Sequence, residues 1–319
     1  MSWFIRAAVS SLVAGMVLTS GCAREEVIAP PRFSVRLLTS PTVSGRWERA
    51  AEQGLGRIAA QLDADVARHR VGPGADSRGR IAAEGEAGSD LVFCVGAGFE
   101  KTLYLEAGSY PETVFVMLPG RIRGGNVASI EFLPEGVGYL AGVVAATVAP
   151  NSRVGILRGS GRSWLEALET GFLAGFRANR RRAEVETVQG VEGVWALNVT
   201  DVSVALYASD EVEPEVAAAA REAGLRLIVT GSGLMAELPG VAAAAVDIDV
   251  AEAMLRVARE VHDGNFVGRT YSFDLGSGVL DLTLADDLDP DLRAAAGRRL
   301  EAARAEVTAG LVEFDHLGL

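Results

Sequence analysis

The sequence predicts an α/β fold of two doubly wound parallel-sheet lobes, and three features predict it. Short continuous apolar runs, such as residues 114–118 ending at Pro119 and Gly120, have the length and composition of strands covered on both faces. About one helical stretch separates most strands from the next, the spacing of parallel β-α units rather than of a sandwich. At Pro150, Asn151 and Ser152 the pattern stops and then restarts with residues 153–157. One open sheet therefore finishes near Pro150 and a second begins.

Taken in order, residues 33–38 form the first strand and residues 39–44 its loop. Residues 47–62 form a helix with Ala51, Leu55, Ile58 and Leu62 on one face. A strand over 66–71, a loop over 72–79, a helix over 81–87, a strand over 91–95 and a helix over 100–107 follow. After the strands 114–118 and 127–130 comes a helix over 135–148, whose small residues let it lie close to a neighbour. Beyond Pro150 the rhythm repeats with strand 154–157, turn 158–161 and a helix carrying Leu165, Leu168, Phe172 and Phe176. Strands 185–188 and 202–207, helix 214–223, and strands 225–229 and 241–246 come next. Helix 250–262, strands 270–275 and 279–284, and helix 290–308 complete the pattern. The architecture repeats; the residues themselves do not.

The 319 residues are 49% hydrophobic and 23% charged, which supplies a large core and lies outside the disordered range. A formal net charge of −12 opposes a nucleic-acid partner, because phosphate binding needs a basic face. Arginine is nearly the only cation, Lys101 being the single lysine, a matter of composition rather than chemistry.

Arg6, the apolar run 7–18 and the small residues before Cys22 have the three regions of a secretory signal, and the run is too short to span a bilayer comfortably. Cys22 directly after Ser20 and Gly21 resembles a bacterial lipobox, although Leu18 stands one place early and Thr19 takes its position. This reading makes residues 1–21 a lipoprotein signal peptide, Cys22 the acylated residue and residues 22–32 a tether stiffened by Pro30 and Pro31. An uncleaved anchor and an ordinary secretory signal are the alternatives. Acyl chains anchor and do not span, so the expected location is the extracytoplasmic or periplasmic side of the cell membrane. The other cysteine, Cys94, sits inside an apolar strand and reads as a small core residue.

A set of local patterns carries a resemblance: Tyr110 and Pro111, Phe115, Asn126 and Val127, Glu135 and Gly136, residues 140–142, Val154 and Gly155, and the ending from Gly171 to Phe176. Residues 90–99 upstream, and Gly264 to Phe266 with Gly278 and Val279 downstream, extend it over most of the mature chain. It is similar to the basic membrane protein (BMP) family, nucleoside-binding lipoproteins that serve bacterial ABC importers and have the type I periplasmic binding protein fold. The resemblance implies two lobes joined by a hinge: residues 33–150 plus 247–268 in lobe I, and residues 151–246 plus 269–319 in lobe II. It implies crossings near Pro150, Asp247 and Gly268, with a ligand held in the cleft and an ABC permease and ATPase as partners.

In open α/β sheets small ligands bind beyond the carboxyl ends of the strands, which nominates the loops 39–47, 96–100, 119–125, 207–213 and 231–235. The resemblance places Trp47 where the family has a ring that stacks on the base; the alternative is a helix-start residue. Ser40, Glu48, Phe99, Asp210, Gly231 and Asp247 are the remaining expected ligand-binding residues. Several family contacts are changed: Ser40 and Pro119 replace aspartates, residues 209–213 replace a Gly-x-Thr-Gly loop, and Asp247 replaces a lysine. Ribose hydroxyls would then lose charge-assisted bonds worth about 1.5–3 kcal/mol each. Glu48, Asp210, Glu211 and Asp247 make the cleft more acidic, so a purine nucleoside has a neutral or cationic small molecule as its rival.

Residues 159–164 follow a strand, but Trp164 stands where a dinucleotide fingerprint has its third glycine, and Gln189 rather than an acid follows the next strand. His69, His262 and His316 lack ligand spacing, and Cys94 lacks an evident base. Asp286, Asp287, Asp289 and Asp291 lack the glycine and final glutamate of a calcium loop and read as a helix start. Arg180, Arg181 and Arg182 read as a solvated helix end. No metal, cofactor or enzymatic activity is expected. The expected function is a lipid-anchored solute-binding protein for an ABC importer; the alternative is a ligand-sensing or interaction lipoprotein on the same scaffold.

Overall fold

The computed structural model describes residues 32–43, 45–159, 163–180 and 182–314. The expected signal peptide, Cys22 and all of the tether except Arg32 lie outside the described residues, as does Arg181. From the first described residues the chain runs β1 (Ser34–Thr39), α1 (Gly45–Leu62), β2 (Asp65–Arg70), α2 (Ala75–Glu86), β3 (Leu91–Val95), α3 (Glu100–Glu106), β4 (Val114–Leu118) and β5 (Val127–Phe132). It continues through α4 (Glu135–Val148), β6 (Arg153–Arg158), α5 (Ser163–Asn179), β7 (Glu184–Gln189), α6 (Gly190–Val199), β8 (Val204–Ala208), α7 (Pro214–Glu222), β9 (Arg226–Val229), α8 (Ser232–Glu237) and β10 (Ala242–Ile248). The last elements are α9 (Val250–His262), β11 (Thr270–Phe273), β12 (Leu280–Leu284) and α10 (Pro290–Thr308).

Two six-stranded sheets result, ordered β11-β5-β4-β3-β1-β2 and β12-β10-β9-β8-β6-β7. Every strand pair of the first is parallel, and in the second only β12 runs antiparallel, on β10. This is the expected α/β class with two wound sheets. The inner strands β3 and β8 are buried along their whole length, which is why they read as unbroken apolar runs. The edge strands β2 and β7 have only intermediate and exposed residues and carry charges, features that suit an unpaired edge.

Helices α6 and α8 interrupt what the sequence presented as successive strands. The apolar residues of α6 surround its axis, with Val194 and Leu197 buried but Trp195 and Val199 exposed, so no single helical stripe marks it. Helix α8 is only six residues long, below the length at which periodicity is informative. At the end of the chain, Asp289 caps α10 by accepting from the amides of Asp291 and Leu292 at 3.0 and 3.1 Å, so the acidic run is a helix start.

The crossings between sheets fall elsewhere than expected. Helix α4 is buried at every residue from Gly136 to Ala146 and packs on α5, with further contact to β8, β10 and β12 of the second sheet. The chain therefore leaves the first lobe between β5 and α4, not near Pro150. It returns between β10 and α9, beyond Ile248, and α9 packs on α1. Strand β11 lies in the first sheet, where the amide of Leu133 donates to the carbonyl of Phe273 at 2.8 Å. Residues 269–273, expected in lobe II, thus belong with the first sheet, whereas β12 pairs with β10 in the second and α10 packs on α4; the last crossing follows Phe273 rather than Gly268.

The α4–α5 contact is made by glycines. A methyl group on Gly138 or Gly142 would overlap the carbonyl oxygen of Leu168 or Phe172, and one on Gly171 or Gly175 would overlap that of Glu135 or Tyr139. Arg180, expected to be solvated, instead donates to the carbonyls of Ala146 and Ala149 at the end of α4, at 2.6 to 3.1 Å. Those carbonyls have no partner further along the helix, so the guanidinium serves as their cap.

Replacing Gly142→Ala should destabilise the protein by about 1–3 kcal/mol, because backbone cannot yield as a side chain can. Gly297→Ala, on α10 with open space around it, should instead stabilise by up to about 1 kcal/mol. Urea unfolding of the two variants checks the opposite signs. Burial pushes the Cys94 thiol well above its ordinary pKa. At pH 8 it should resist a thiol reagent in the native protein and react after denaturation, as read by peptide mass at Cys94.

Candidate functional site

The carboxyl ends of β1, β8 and β9 meet across a gap between the lobes. From the first lobe, the first turn of α1 brings Arg46 and Trp47 to the gap. The Trp47 indole Nε1 donates to Asp210 Oδ1 at 3.4 Å, and Arg46 Nη1 donates to Thr230 Oγ1 at 3.2 Å. Asp210 lies in the loop after β8 and Thr230 directly after β9.

Aromatic rings wall the gap. Trp47 lies with ring centroids 5.7 Å from Phe132 and 6.2 Å from Trp164, the latter pair nearly edge to face at 74°. Arg46, Trp47, Ala50, Trp164, Ile248 and Val250 enclose a cavity of about 30 Å³. That is one water's share of the liquid, against roughly 300–1,000 Å³ for a small-molecule site.

Asp247, at the end of β10, accepts from the Ser232 amide at 2.6 Å and from Thr283 Oγ1 at 3.3 Å. It thereby fixes the start of α8 beside Gly231. Gly231 has φ +107, and a Cβ on it would overlap the Arg46 guanidinium. Burial pulls the Arg46 pKa below its ordinary value, while the charges of Asp210 and Asp247 oppose that shift. A cation thus sits between acidic groups in the place where a ligand is expected.

Of the residues nominated from sequence, the structure gathers Trp47, Asp210, Gly231 and Asp247 around this gap. Glu48 is drawn back toward the first sheet, accepting from Thr39 Oγ1 at 3.2 Å and pairing with Arg70 at 3.4 Å. Ser40 is 4% exposed and bonds Thr42 Oγ1 at 3.0 Å within its own loop. Phe99 is corrected: it is 1% exposed and packs with Leu38, Ile81, Leu103 and Phe115 in a cluster separate from the one that Trp47 joins. The start of α3 turns its ring under the sheet rather than toward the gap.

Sequence reasoning missed Arg46, Phe132, Trp164 and Thr230. A charged residue set directly before Trp47 in a loop at a strand's carboxyl end was the available signal for Arg46. Among the described residues no group of histidine, cysteine and acidic side chains is arranged to hold a metal ion, and no helix is long and apolar enough to cross a membrane.

Comparison with known proteins agrees with this fold. The chain is 22% identical over 292 residues to the transcriptional activator protein Med of Bacillus subtilis, covering 87% of this chain and 90% of that protein. Among solved structures it resembles a transcriptional activator of the comK gene from Bacillus halodurans, with a TM-score of 0.74, 23% identity, and 89% and 100% of the two chains covered. An ABC transporter solute-binding protein from Conexibacter woesei superposes with a TM-score of 0.70 at 20% identity, covering 88% and 97%. At these identities the structures establish the type I periplasmic binding protein fold alone. A family model described as Bmp, ABC transporter substrate-binding protein PnrA-like, matches residues 45–205, half of the chain, and the protein belongs to that family.

Proposed function

We propose that this protein is a lipid-anchored, extracytoplasmic solute-binding protein that delivers a small ligand to an ABC importer. The observation that carries the reading is the aromatic-walled gap between the carboxyl ends of two wound sheets, crossed by Arg46–Thr230 and Trp47–Asp210 and by the chain itself at three places. A ligand entering there touches both lobes, so binding and lobe closure are coupled, and the closed surface is what a permease and its ATPase would recognise. Trp47 and Trp164 would contact the solute; Asp210, Gly231 and Asp247 would line it. A purine nucleoside is the ligand that family membership suggests. Its entry requires the lobes to separate and Arg46 to move, because the enclosed space is far smaller than a nucleoside.

Cys22, following a charged start and an apolar run, supports the lipid anchor. Nothing in the site calls for catalysis: the buried thiol is remote from the gap, and its acidic groups hold backbone amides, hydroxyls and an indole.

A second reading, a ligand-sensing or interaction lipoprotein without import, is favoured by two observations. Two similar proteins bear the name transcriptional activator, and a gap filled by a residue of its own suits a protein that has lost high-affinity transport.

Three measurements test these readings. Adenosine, inosine and guanosine titrated against the protein should change its tryptophan fluorescence, and no response to any nucleoside removes that ligand class. Membrane fractionation of cells should place the full chain with the membranes and move Cys22→Ser to the soluble fraction. Co-purification of a permease with the membrane-bound form supports import, whereas its consistent absence beside a membrane signalling protein supports sensing.

A further inference from the structure

We propose that the gap is built for the charged head of an organic cation, a guanidinium or primary ammonium group, and that Arg46 occupies that place until the ligand displaces it. The inference rests on the solute-binding reading above and names the class of solute.

The hydrogen-bonding sense of the second lobe carries the argument. Thr230 has one hydroxyl proton, and it is given to the carbonyl of Ser209. Toward the gap Thr230 can therefore only accept, which is how it meets Arg46 Nη1 at 3.2 Å. Asp210 and Asp247 are acceptors as well, and both act on the Arg46 charge. Thr230 thus accepts from Arg46, Asp210 accepts from Trp47, next to Arg46 in sequence, and Asp247 holds the Ser232 amide beside Gly231, against which the guanidinium lies. A neutral sugar or nucleoside carries hydroxyls that can match such groups, but a cation with several N–H donors matches both their sense and their charge.

The walls agree. Trp47 and Trp164 are the aromatic type that best attracts cations. The lack of a side chain on Gly231 leaves the space in which the guanidinium lies. The space left beside Arg46, about 30 Å³, does not accommodate a second head group, so ligand and side chain compete for one position. The Trp164 indole Nε1 is enclosed and has no acceptor among the described residues. It favours a cation that also carries a hydroxyl, carbonyl or carboxylate a few atoms from its head.

Removing the resident side chain tests this. Arg46→Ala should bind N-methylguanidinium and methylammonium, read by tryptophan fluorescence and calorimetry, at least about tenfold more tightly than the unmodified protein. Asp210→Asn or Asp247→Asn in the Arg46→Ala background should weaken that binding by about tenfold, and adenosine should show neither effect. Circular dichroism and the melting temperature establish that each variant is folded; Arg46→Gln, which retains a polar side chain, replaces Arg46→Ala if the latter fails to fold. A folded variant that binds adenosine but neither cation overturns the cation class and leaves the solute-binding reading standing. Cation binding indifferent to both aspartates also overturns it. A folded variant that binds none of these probes counts against both proposals.

Discussion

The close approach of α4 and α5 is the contact from which the rest of the architecture follows. Gly138 and Gly142 on one helix, and Gly171 and Gly175 on the other, each stand against a backbone carbonyl of the opposing helix, so the two backbones touch with no side chains between them. Such an approach maximises dispersion contacts and brings Cα–H groups against carbonyl oxygens, gains that any side chain at these four positions would cancel. Arg180 closes the same contact at its end by capping α4, and α10 packs over α4 with Val307 close to Gly136. Helix α4 is thereby committed to the second lobe, although it directly follows a strand of the first. The first crossing is consequently the short segment between Phe132 and Glu135, which places Phe132 beside Trp47 at the gap.

At the gap the governing quantity is charge. Asp210 is 5% exposed, and ionised carboxylates brought that far from water require compensation. Part of it comes from the other lobe, through the Trp47 indole and the Arg46 guanidinium. Asp210 and Asp247 are thus met at the gap by a cation that the same sequence supplies. One consequence is mechanical: hydrogen bonds from Arg46 and Trp47 already join the lobes across the gap.

Much of the fold was legible along the chain. Strands such as β3 and β8, covered on both faces, can only be continuous apolar runs, and the edge strands β2 and β7 can only be polar ones. Helix α9 has a one-sided apolar face, and α10 announces itself by Asp289 and Pro290. Helices α6 and α8 escaped notice because one lacks a stripe and the other lacks length. The crossings escaped because nothing local in α4 or β11 says which sheet it joins; the glycines indicate a close neighbour without naming it.

By itself the sequence determined most of the element types and the acidic and aromatic character of the loops at the strand ends, Trp47 among them, all of which depend on residues a few positions apart. Only the tertiary structure decided which of those loops share a space, because Trp47 and Asp210 are 163 residues apart and Arg46 and Thr230 are 184 apart. It moved Phe99 into the core, drew Glu48 back to its own sheet, and turned Arg46 from an ordinary surface arginine into the occupant of the gap. The physical reason is that periodicity and local propensity act within an element, whereas burial, charge compensation and backbone contact are settled between elements that meet only when both lobes are folded.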